Sequence, residues 1–579
     1  MVLKFLYGIA ITSIFIILIL YFLHPVTNLV GDLGYYLKIG EVIVTTHSIP
    51  NTNLFSYTSP TYPFINMNWI SEVAFYLIQN KFGFDGLIIV SVLLSVGTFG
   101  LIFIIAQKKY GLLPTLLLSL LSLQIVYERT DIKPELFSYF FFATFLFILF
   151  QFKKTYTKLI FLLIPLELLW TNMHIYFFIG NFLLLFFFLD AFKDDHYKIF
   201  SKKTKTLLFV TVVSFFTTLV NPFFIKGALY PFFVLGNYGF KVAENIDYLT
   251  AINVYKDPTF FFFGMSVLVI FLGVLLNIKK FSLLELCLLS FFTILGFFAV
   301  RTFPLFVIGT FIPSAHILFL FIQQLEKSYG KKVHGCALGL FYILLLILVP
   351  TVQSNIALHE VGVGMGVKNN AKPAITFLKE NQLHGPIYNN YNIGSYLVYE
   401  LYPQEHVFAD ARPEAYPKEF FQSTYVPMEI SPSAFKKYAD IYKFNIIVWQ
   451  YTEFSDESNA FITSLIKNKD WKFVYLNSEV VIFVKDTKSN QKIIASHPIN
   501  KKTVLEKIED ANTKTQVGNY VNLFRLLGWE DSWLVMNKRY LEYDPQNCAV
   551  LQNIAYILQQ KKSQEFEMYL NKYIQTCRK

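Results

Sequence analysis

Asp32 is the first residue of this 579-residue chain that invites a chemical reading. It lies a few residues beyond an apolar run, 5–23, and opens a stretch rich in Tyr, Trp, Asn and Pro that closes with Asn66, Asn68, Trp69 and Glu72. A positioned carboxylate with a raised pKa accepts protons from a polar substrate. The plainer account is an N-cap for a helix starting at Leu33, a role Asp favours. Glu72 is either a second carboxylate or the solvated face of a helix over 69–80. Three cations, Arg129, Lys133 and Arg301, fall at the ends of apolar runs, where charge is expensive and tends to be functional. Snorkelling, or pairing with Glu128, Asp131 and Glu135, explains them equally. His174 follows Asn172 in a short polar gap, where a bond to Asn172 or to a carbonyl would account for it. Glu244, Asn245 and Asp247 are candidate acceptor contacts that nothing separates from ordinary loop polarity. The glycines of 362–366 follow no strand and lack the Lys-Ser/Thr of a phosphate loop, so they read as a linker. Cys287, Cys336, Cys548 and Cys577 make no CxxC or Cys/His pattern, so no zinc or thiol-redox site is expected. Cys548 and Cys577 could pair in an oxidising compartment. No cofactor is expected, and dependence on a divalent metal is left open.

These residues are set in a chain that is 54% apolar and 16% charged, with 63 Phe and a mean hydropathy of +0.45. Soluble chains average roughly 45–50% apolar and about a quarter charged, so lipid is part of the solvent here. Runs of about 17–25 apolar residues cross a bilayer as helices. Those that qualify are approximately 5–23, 86–106, 111–127, 135–152, 158–172, 174–190, 205–221, 259–277, 281–299, 303–323 and 337–353, about eleven spans. The pair meeting at 171–174 also reads as one re-entrant element. With the N-terminus inside, every inside connection is basic: Lys108-Lys109, Lys153 to Lys158, Lys193 to Lys205, Lys279-Lys280 and Lys327 to Lys332. The segments 24–85, 128–134, 171–174, 222–258 and 299–302 then lie outside, as does everything beyond Pro350. The first run follows a single Lys4 without a small-residue cleavage site and reads as a retained span. The formal charge of +10 is thus explained by topology and not by nucleic acid.

Five stretches occur in an order that resembles a known class. These are Asp32 to Glu72; Arg129 with Lys133-Pro134-Glu135-Leu136-Phe137-Ser138; Trp170-Thr-Asn172-Met-His174; Arg301-Thr-Phe-Pro304; and Tyr388 to Leu397 with Val407 to Arg412. Together they resemble the GT-C membrane glycosyltransferases, particularly bacterial relatives of protein mannosyltransferases and of the lipid A aminoarabinose transferase. The likeness covers most of residues 1–485. It departs where Asp32 is followed by Leu33-Gly34 instead of a paired acidic residue, which puts in doubt a metal site of the oligosaccharyltransferase kind. The resemblance implies sugar transfer from a polyprenyl-phosphate donor, in a bacterial inner membrane, to a protein, lipid or glycan acceptor outside the cytoplasm. Asp32 would be the catalytic base, and Arg301, Arg129 and Lys133 would bind the donor phosphate and stabilise the leaving group. Glu72, Trp69, Asn172, His174, Asn389, Asn392, Asp410 and Arg412 would be the further substrate contacts, although Asp410 and Arg412 also read as a local ion pair.

The remainder is water-soluble in character. Residues 373–381, 433–442 and 458–468 pattern as helices, 386–388 and 445–449 as strands, and 471–475 with 480–484 as a hairpin. From about Thr503 the pattern is all-helical, and Trp529 to Leu558, with Tyr543-Asp544-Pro545 at a turn, resembles one or two tetratricopeptide units. The expected architecture is therefore an α-helical polytopic GT-C-like domain over 1–354, a small α/β extracytoplasmic domain over 355–490 and a helical, tetratricopeptide-like segment over 491–579. A lipid or solute transporter is the alternative, but no inverted repeat with broken helices is visible. A non-catalytic membrane scaffold is the other.

Overall fold

An apolar segment in lipid must satisfy its own backbone hydrogen bonds, and the helix does this within one segment. The computed structural model describes residues 2–199, 201–240, 242–255, 257–358, 362–453 and 455–577. Its first fourteen α-helices are α1 Val2–Phe22, α2 Gly34–Thr46, α3 Trp69–Tyr110, α4 Leu112–Val126, α5 Glu135–Lys154, α6 Leu163–Thr171, α7 Phe178–Asp194, α8 Lys202–Thr217, α9 Ile225–Phe233, α10 Tyr248–Val254, α11 Pro258–Asn277, α12 Leu283–Phe298, α13 Phe303–Tyr329 and α14 Lys332–Leu358. Each of the eleven apolar runs is helical. Among the described residues, eight helical stretches are long and apolar enough to cross a membrane: those of α1, α3, α4, α5, α7, α11, α13 and α14. The expected eleven crossings are not reached on length, because α6, α8 and α12 span only 9, 16 and 16 residues. The chain is a multi-pass membrane protein.

The chain divides into two compact units. The first comprises residues 1–28, 36–51 and 65–368. Its central helix is α13, buried along most of its length and packed against α3, α4, α12 and α14. Two close approaches set that packing. A Cβ on Gly309 would come within 2.2 Å of the Phe292 ring of α12, and one on Gly273 of α11 within 2.3 Å of Ile317. α3 is broken at Gly83, whose φ of +68° is left-handed backbone that glycine adopts without penalty. The break separates the helix expected over 69–80 from the span that follows.

The second unit comprises residues 29–35, 52–64 and 369–579. Its sheet is formed by β1 Ile387–Asn389, β2 Ile446–Gln450, β3 Trp471–Leu476 and β4 Val480–Lys485 in the order β1-β2-β4-β3. β1 is parallel to β2, with Tyr388 opposite Ile447, and the other pairings are antiparallel. β1, β2 and β4 are buried almost throughout, so they read as largely apolar runs without alternation. Segment 52–64 is stitched to this unit by Val407 N–H to the Phe55 carbonyl at 3.0 Å and by the Tyr57 hydroxyl to the Ile387 carbonyl at 2.7 Å. The unit ends in four helices, Lys514–Leu527, Glu530–Tyr543, Cys548–Gln560 and Phe566–Cys577, each packed on the next, with a disulfide between Cys548 and Cys577.

Candidate functional site

The sequence candidates divide between the two units. In the first unit, four connections bring polar side chains together. Arg129 lies on a turn that closes α4, Lys133 and Glu135 enter α5, Tyr176 follows the gap between α6 and α7, and Arg301 leads into α13. The fourth group comes from Ala243–Asn245, a single 3₁₀ turn between α9 and α10. Arg129 donates through Nε to Glu135 at 2.8 Å and through a terminal nitrogen to Glu244. Lys133 donates to the same Glu244 oxygen at 3.1 Å. Arg301 lies 3.8 Å from the other Glu244 oxygen and 4.0 Å from Glu135, and it donates to the Tyr176 hydroxyl and the Asn245 side-chain amide oxygen at 3.2 Å each. The pairing with Glu135 that the sequence allowed is thus present, while Glu244, which loop polarity alone did not single out, is the carboxylate shared by all three cations. Burial would raise the Glu244 carboxyl, but Arg129, Lys133 and Arg301 outweigh it and hold the group well below the usual carboxylate range. Two buried polar atoms beside this cluster, Asn245 Nδ2 and the Tyr139 hydroxyl, have no hydrogen-bond partner among the described residues. Buried polar atoms are rarely left so, and each such group calls for a reason.

His174 does not reach a cation. It shares a 2.9 Å hydrogen bond with the Ser138 hydroxyl, which accepts from the Trp170 indole at 2.8 Å. Trp69 donates to the Asn172 side chain at 2.9 Å, and Asn172 in turn donates to the Leu168 and Val220 carbonyls. Trp69 and Asn172 also line an open cavity of about 510 Å³. Glu72 is 1% exposed and accepts from Asn66 at 2.5 Å, so it faces the interior and is not a solvated helix face.

A larger cavity, of about 1030 Å³, runs between α4, α11, α13 and α14, and its lining is almost wholly aliphatic and aromatic. Ile125 lines one end of it and precedes Arg129 by four residues, and Phe306 lines it five residues after Arg301. At a rise of about 1.5 Å per residue, Arg129 and Arg301 sit roughly one turn beyond the apolar lining. Tyr329 and Lys332 mark the opposite end, so the lining on α13 alone extends over roughly 35 Å, the height of a bilayer.

In the second unit, Asp32 is half-buried on a wide turn, Leu29–Leu33. Residues 29–35 belong to this unit because Gly34 packs on the Ser395 carbonyl, which a Cβ would meet at 2.7 Å. Glu414, which the sequence did not single out, is near enough to feel the Asp32 charge. Burial, then Asp410 and Asp32, push its carboxyl up to about 7 against the pull of Arg412. Arg412 and Asp410 are fully buried and paired at 2.7 Å. Arg412 also donates to Asn53 and lies over the rings of Phe55 and Phe64. Asn389 donates to the Ala409 carbonyl and accepts from Phe408 N–H, tying β1 to that loop. Asn392 is half-buried in the first turn of the helix Tyr391–Leu401. Among the described residues, no group of three or more His, Cys, Asp or Glu is arranged to hold a metal ion. The residues around Asp32 do not supply such a set, and no step is derived through a metal.

Neither a protein-family model nor a curated protein matches the sequence. Solved structures do. The archaeal oligosaccharyltransferase AglB of Archaeoglobus fulgidus, in complex with an inhibitory peptide and a dolichol-phosphate, superposes with a TM-score of 0.55 at 11% identity, over 92% of this chain and 85% of that one. The Archaeoglobus fulgidus oligosaccharyltransferase tethered to an acceptor peptide with an NVT sequon gives 0.54 at 12%, over 84% and 74%. ArnT from Cupriavidus metallidurans in the apo state gives 0.41 at 10%, over 83% and 97%, too slight to carry an argument. At such identities the likeness shows the fold alone, the one that the Archaeoglobus fulgidus oligosaccharyltransferase structures share.

Proposed function

We propose that the chain is a membrane glycosyltransferase that moves a sugar from a polyprenyl-phosphate carrier to an extracytoplasmic acceptor. One observation carries this reading: Arg129 and Arg301, joined to Lys133 through Glu244, stand about one turn from the end of a bilayer-high apolar cleft. The cleft suits a polyprenyl tail and the cations suit its phosphate, and a guanidinium matches phosphate geometry particularly well. The fold shared with an oligosaccharyltransferase solved with a dolichol-phosphate supports the same class of donor. In the reaction, the bond from the sugar's anomeric carbon to the phosphate oxygen breaks. The acceptor oxygen bonds to that carbon, Asp32 takes the acceptor's proton, and the cations stabilise the lipid phosphate as it leaves. Trp69 and Asn172, on the 510 Å³ cavity, are the proposed substrate contacts. The Lys-rich connections support a cytoplasmic N-terminus, and the Cys548–Cys577 disulfide supports an oxidising compartment for the second unit.

The test is transfer from a labelled polyprenyl-phosphate sugar by purified wild type, Asp32→Asn and Arg301→Gln. Asp32→Asn is expected to lose about 10²–10⁴-fold in turnover, and Arg301→Gln to raise KM for the donor. Equal turnover by Asp32→Asn removes Asp32 as the base, and no transfer from any such donor removes the enzyme reading.

A further inference from the structure

The open cavity of about 510 Å³ is of ligand-pocket size, a class that runs from about 300 to 1,000 Å³. Ile70, with Pro165, Leu168 and Leu169 of α6 and Val220 and Pro222 beyond α8, makes its walls apolar. Trp69, Asn172 and Asn221 complete the lining, and among the described residues there none is charged. The donors of these three polar side chains are already committed. The Trp69 indole donates to Asn172, the Asn172 amide to the Leu168 and Val220 carbonyls, and the Asn221 amide to the Thr218 and Phe224 carbonyls. An indole carries one N–H and an amide two, so each is in use. A pocket that reads a glycan or a peptide aims polar groups at it, whereas this one selects by shape and apolar contact. Its mouth points the same way. Leu169 and Val220 line the cavity while 37% and 60% exposed, and Phe215, Phe216 and Phe224 nearby in the chain are each more than half exposed. In a chain that crosses the membrane, such a surface is covered by lipid.

This cavity shares no lining residue with the cleft between α4, α11, α13 and α14. Both nonetheless serve the connection between α6 and α7. Asn172 walls the cavity, and Tyr176, four residues on, accepts from Arg301. Four residues of chain span at most about 14 Å. We propose that the acceptor is itself a lipid, with a hydroxyl-bearing head group, and that one of its hydrocarbon chains lies in this cavity. This rests on the reading of the chain as a glycosyltransferase and names the acceptor class which that reading leaves open. Two lipids then meet from separate apolar seats. A chain held against Leu168 and Leu169 leaves its head group beside Asn172, within reach of the donor's cations. The head-group oxygen bonds to the anomeric carbon, its proton passes to Asp32, and the polyprenyl phosphate leaves.

The test gives the purified full chain a labelled polyprenyl-phosphate sugar in two kinds of vesicle. One is made from the total lipid extract of the cells the chain comes from, and the other from synthetic phosphatidylcholine with the delipidated protein and glycan of the same membranes added. Mild acid splits sugar from the phosphate carrier, so acid-stable label is product. It is expected in the first vesicles, extractable into organic solvent, and not in the second. Leu169→Trp fills the mouth from an exposed position and is expected to raise about tenfold the amount of extract, diluted into phosphatidylcholine, needed for half-maximal rate. Binding of farnesyl phosphate, a short-chain form of the donor's carrier, should not change. Leu276→Trp, at a position of α11 that is 79% exposed, is expected to alter neither. Val220→Trp carries the same expectation as Leu169→Trp if that variant does not fold. Product from the delipidated material overturns the proposal and leaves the enzyme reading standing. Lipid product that the filling variants make as readily as wild type removes the cavity as the acceptor's seat, and the proposal falls. No product in either vesicle removes the enzyme reading and the proposal with it.

Discussion

Arg129, Lys133 and Arg301 stood out in the sequence as charges beside apolar runs, although snorkelling or local pairing accounted for them equally. Glu244 did not stand out, because a carboxylate in a connection of 37 residues, 222–258, is what loops ordinarily contain. Its significance depends on partners more than 100 residues away in sequence for Arg129 and Lys133. Asp410 and Arg412 were read both ways. Their spacing already suits a local pair, and the rings of Phe55 and Phe64 beneath Arg412 come from a distant segment that no local pattern announces. Another buried acid makes a prediction at this scale. Glu429 is 8% exposed, and burial first, then the neighbouring Glu453, push its carboxyl up to about 8. An unfolded Glu titrates near about 4.3, so between that pH and about 8 the folded chain keeps a proton that the unfolded chain releases. Stability contributed by this group is therefore full at low pH, declines as pH rises through that window, and is level above it. Thermal unfolding of the second unit is expected to show this fall, and Glu429→Gln to flatten it and to melt higher than wild type at pH 8. A wild-type midpoint that climbs from pH 5 to pH 8 would refute the assignment.

Helices were the most legible elements, since apolar runs in lipid have little other choice. Their lengths were less so. α6 is shorter than its run because Lys158–Leu162 opens that run as a 3₁₀ helix, and α8 because the chain turns after Thr217 while apolar composition continues. The helix Tyr391–Leu401 was not among the elements expected from the pattern. Its opening Tyr-Asn-Ile-Gly lacks helix formers, yet Ile393, Tyr396, Leu397 and Val398 are buried, so packing overrides propensity. The sheet was anticipated strand by strand, but the parallel β1–β2 pairing depends on register between residues about 60 apart. For element packing, Gly309 gives the clearest test. Because the Phe292 ring lies where its Cβ would be, Gly309→Ala is expected to force α12 and α13 apart and to cost about 1–3 kcal/mol. Gly339, which has nothing within 4 Å, is the matched control, and equal loss of thermal stability from Gly339→Ala would show that the contact is not the cause.

At the scale of the molecule, the change from lipid-compatible to water-soluble sequence was plain, and the larger division falls near it, between residues 368 and 369. What composition did not reveal is that segments 29–35 and 52–64 belong with the later residues. The ties of 52–64 are backbone and hydroxyl bonds such as Tyr57 to Ile387, and hydropathy carries no signal for them. The disulfide was legible only as a possibility, since two cysteines do not specify a bridge without geometry. The long apolar cleft has a further consequence. Its rim carries side chains such as Phe261, Phe321 and Ile347, each more than half exposed, so it opens sideways and not only toward water. A lipid that enters there arrives along the plane of the membrane, and its supply is counted as a mole fraction of the surrounding amphiphile instead of moles per litre. Apparent affinity for farnesyl phosphate is accordingly expected to weaken in proportion as detergent is added at fixed ligand and protein. Dilution with buffer at constant ligand-to-detergent ratio should leave occupancy unchanged, and an affinity that follows bulk concentration alone would show that the ligand comes from water.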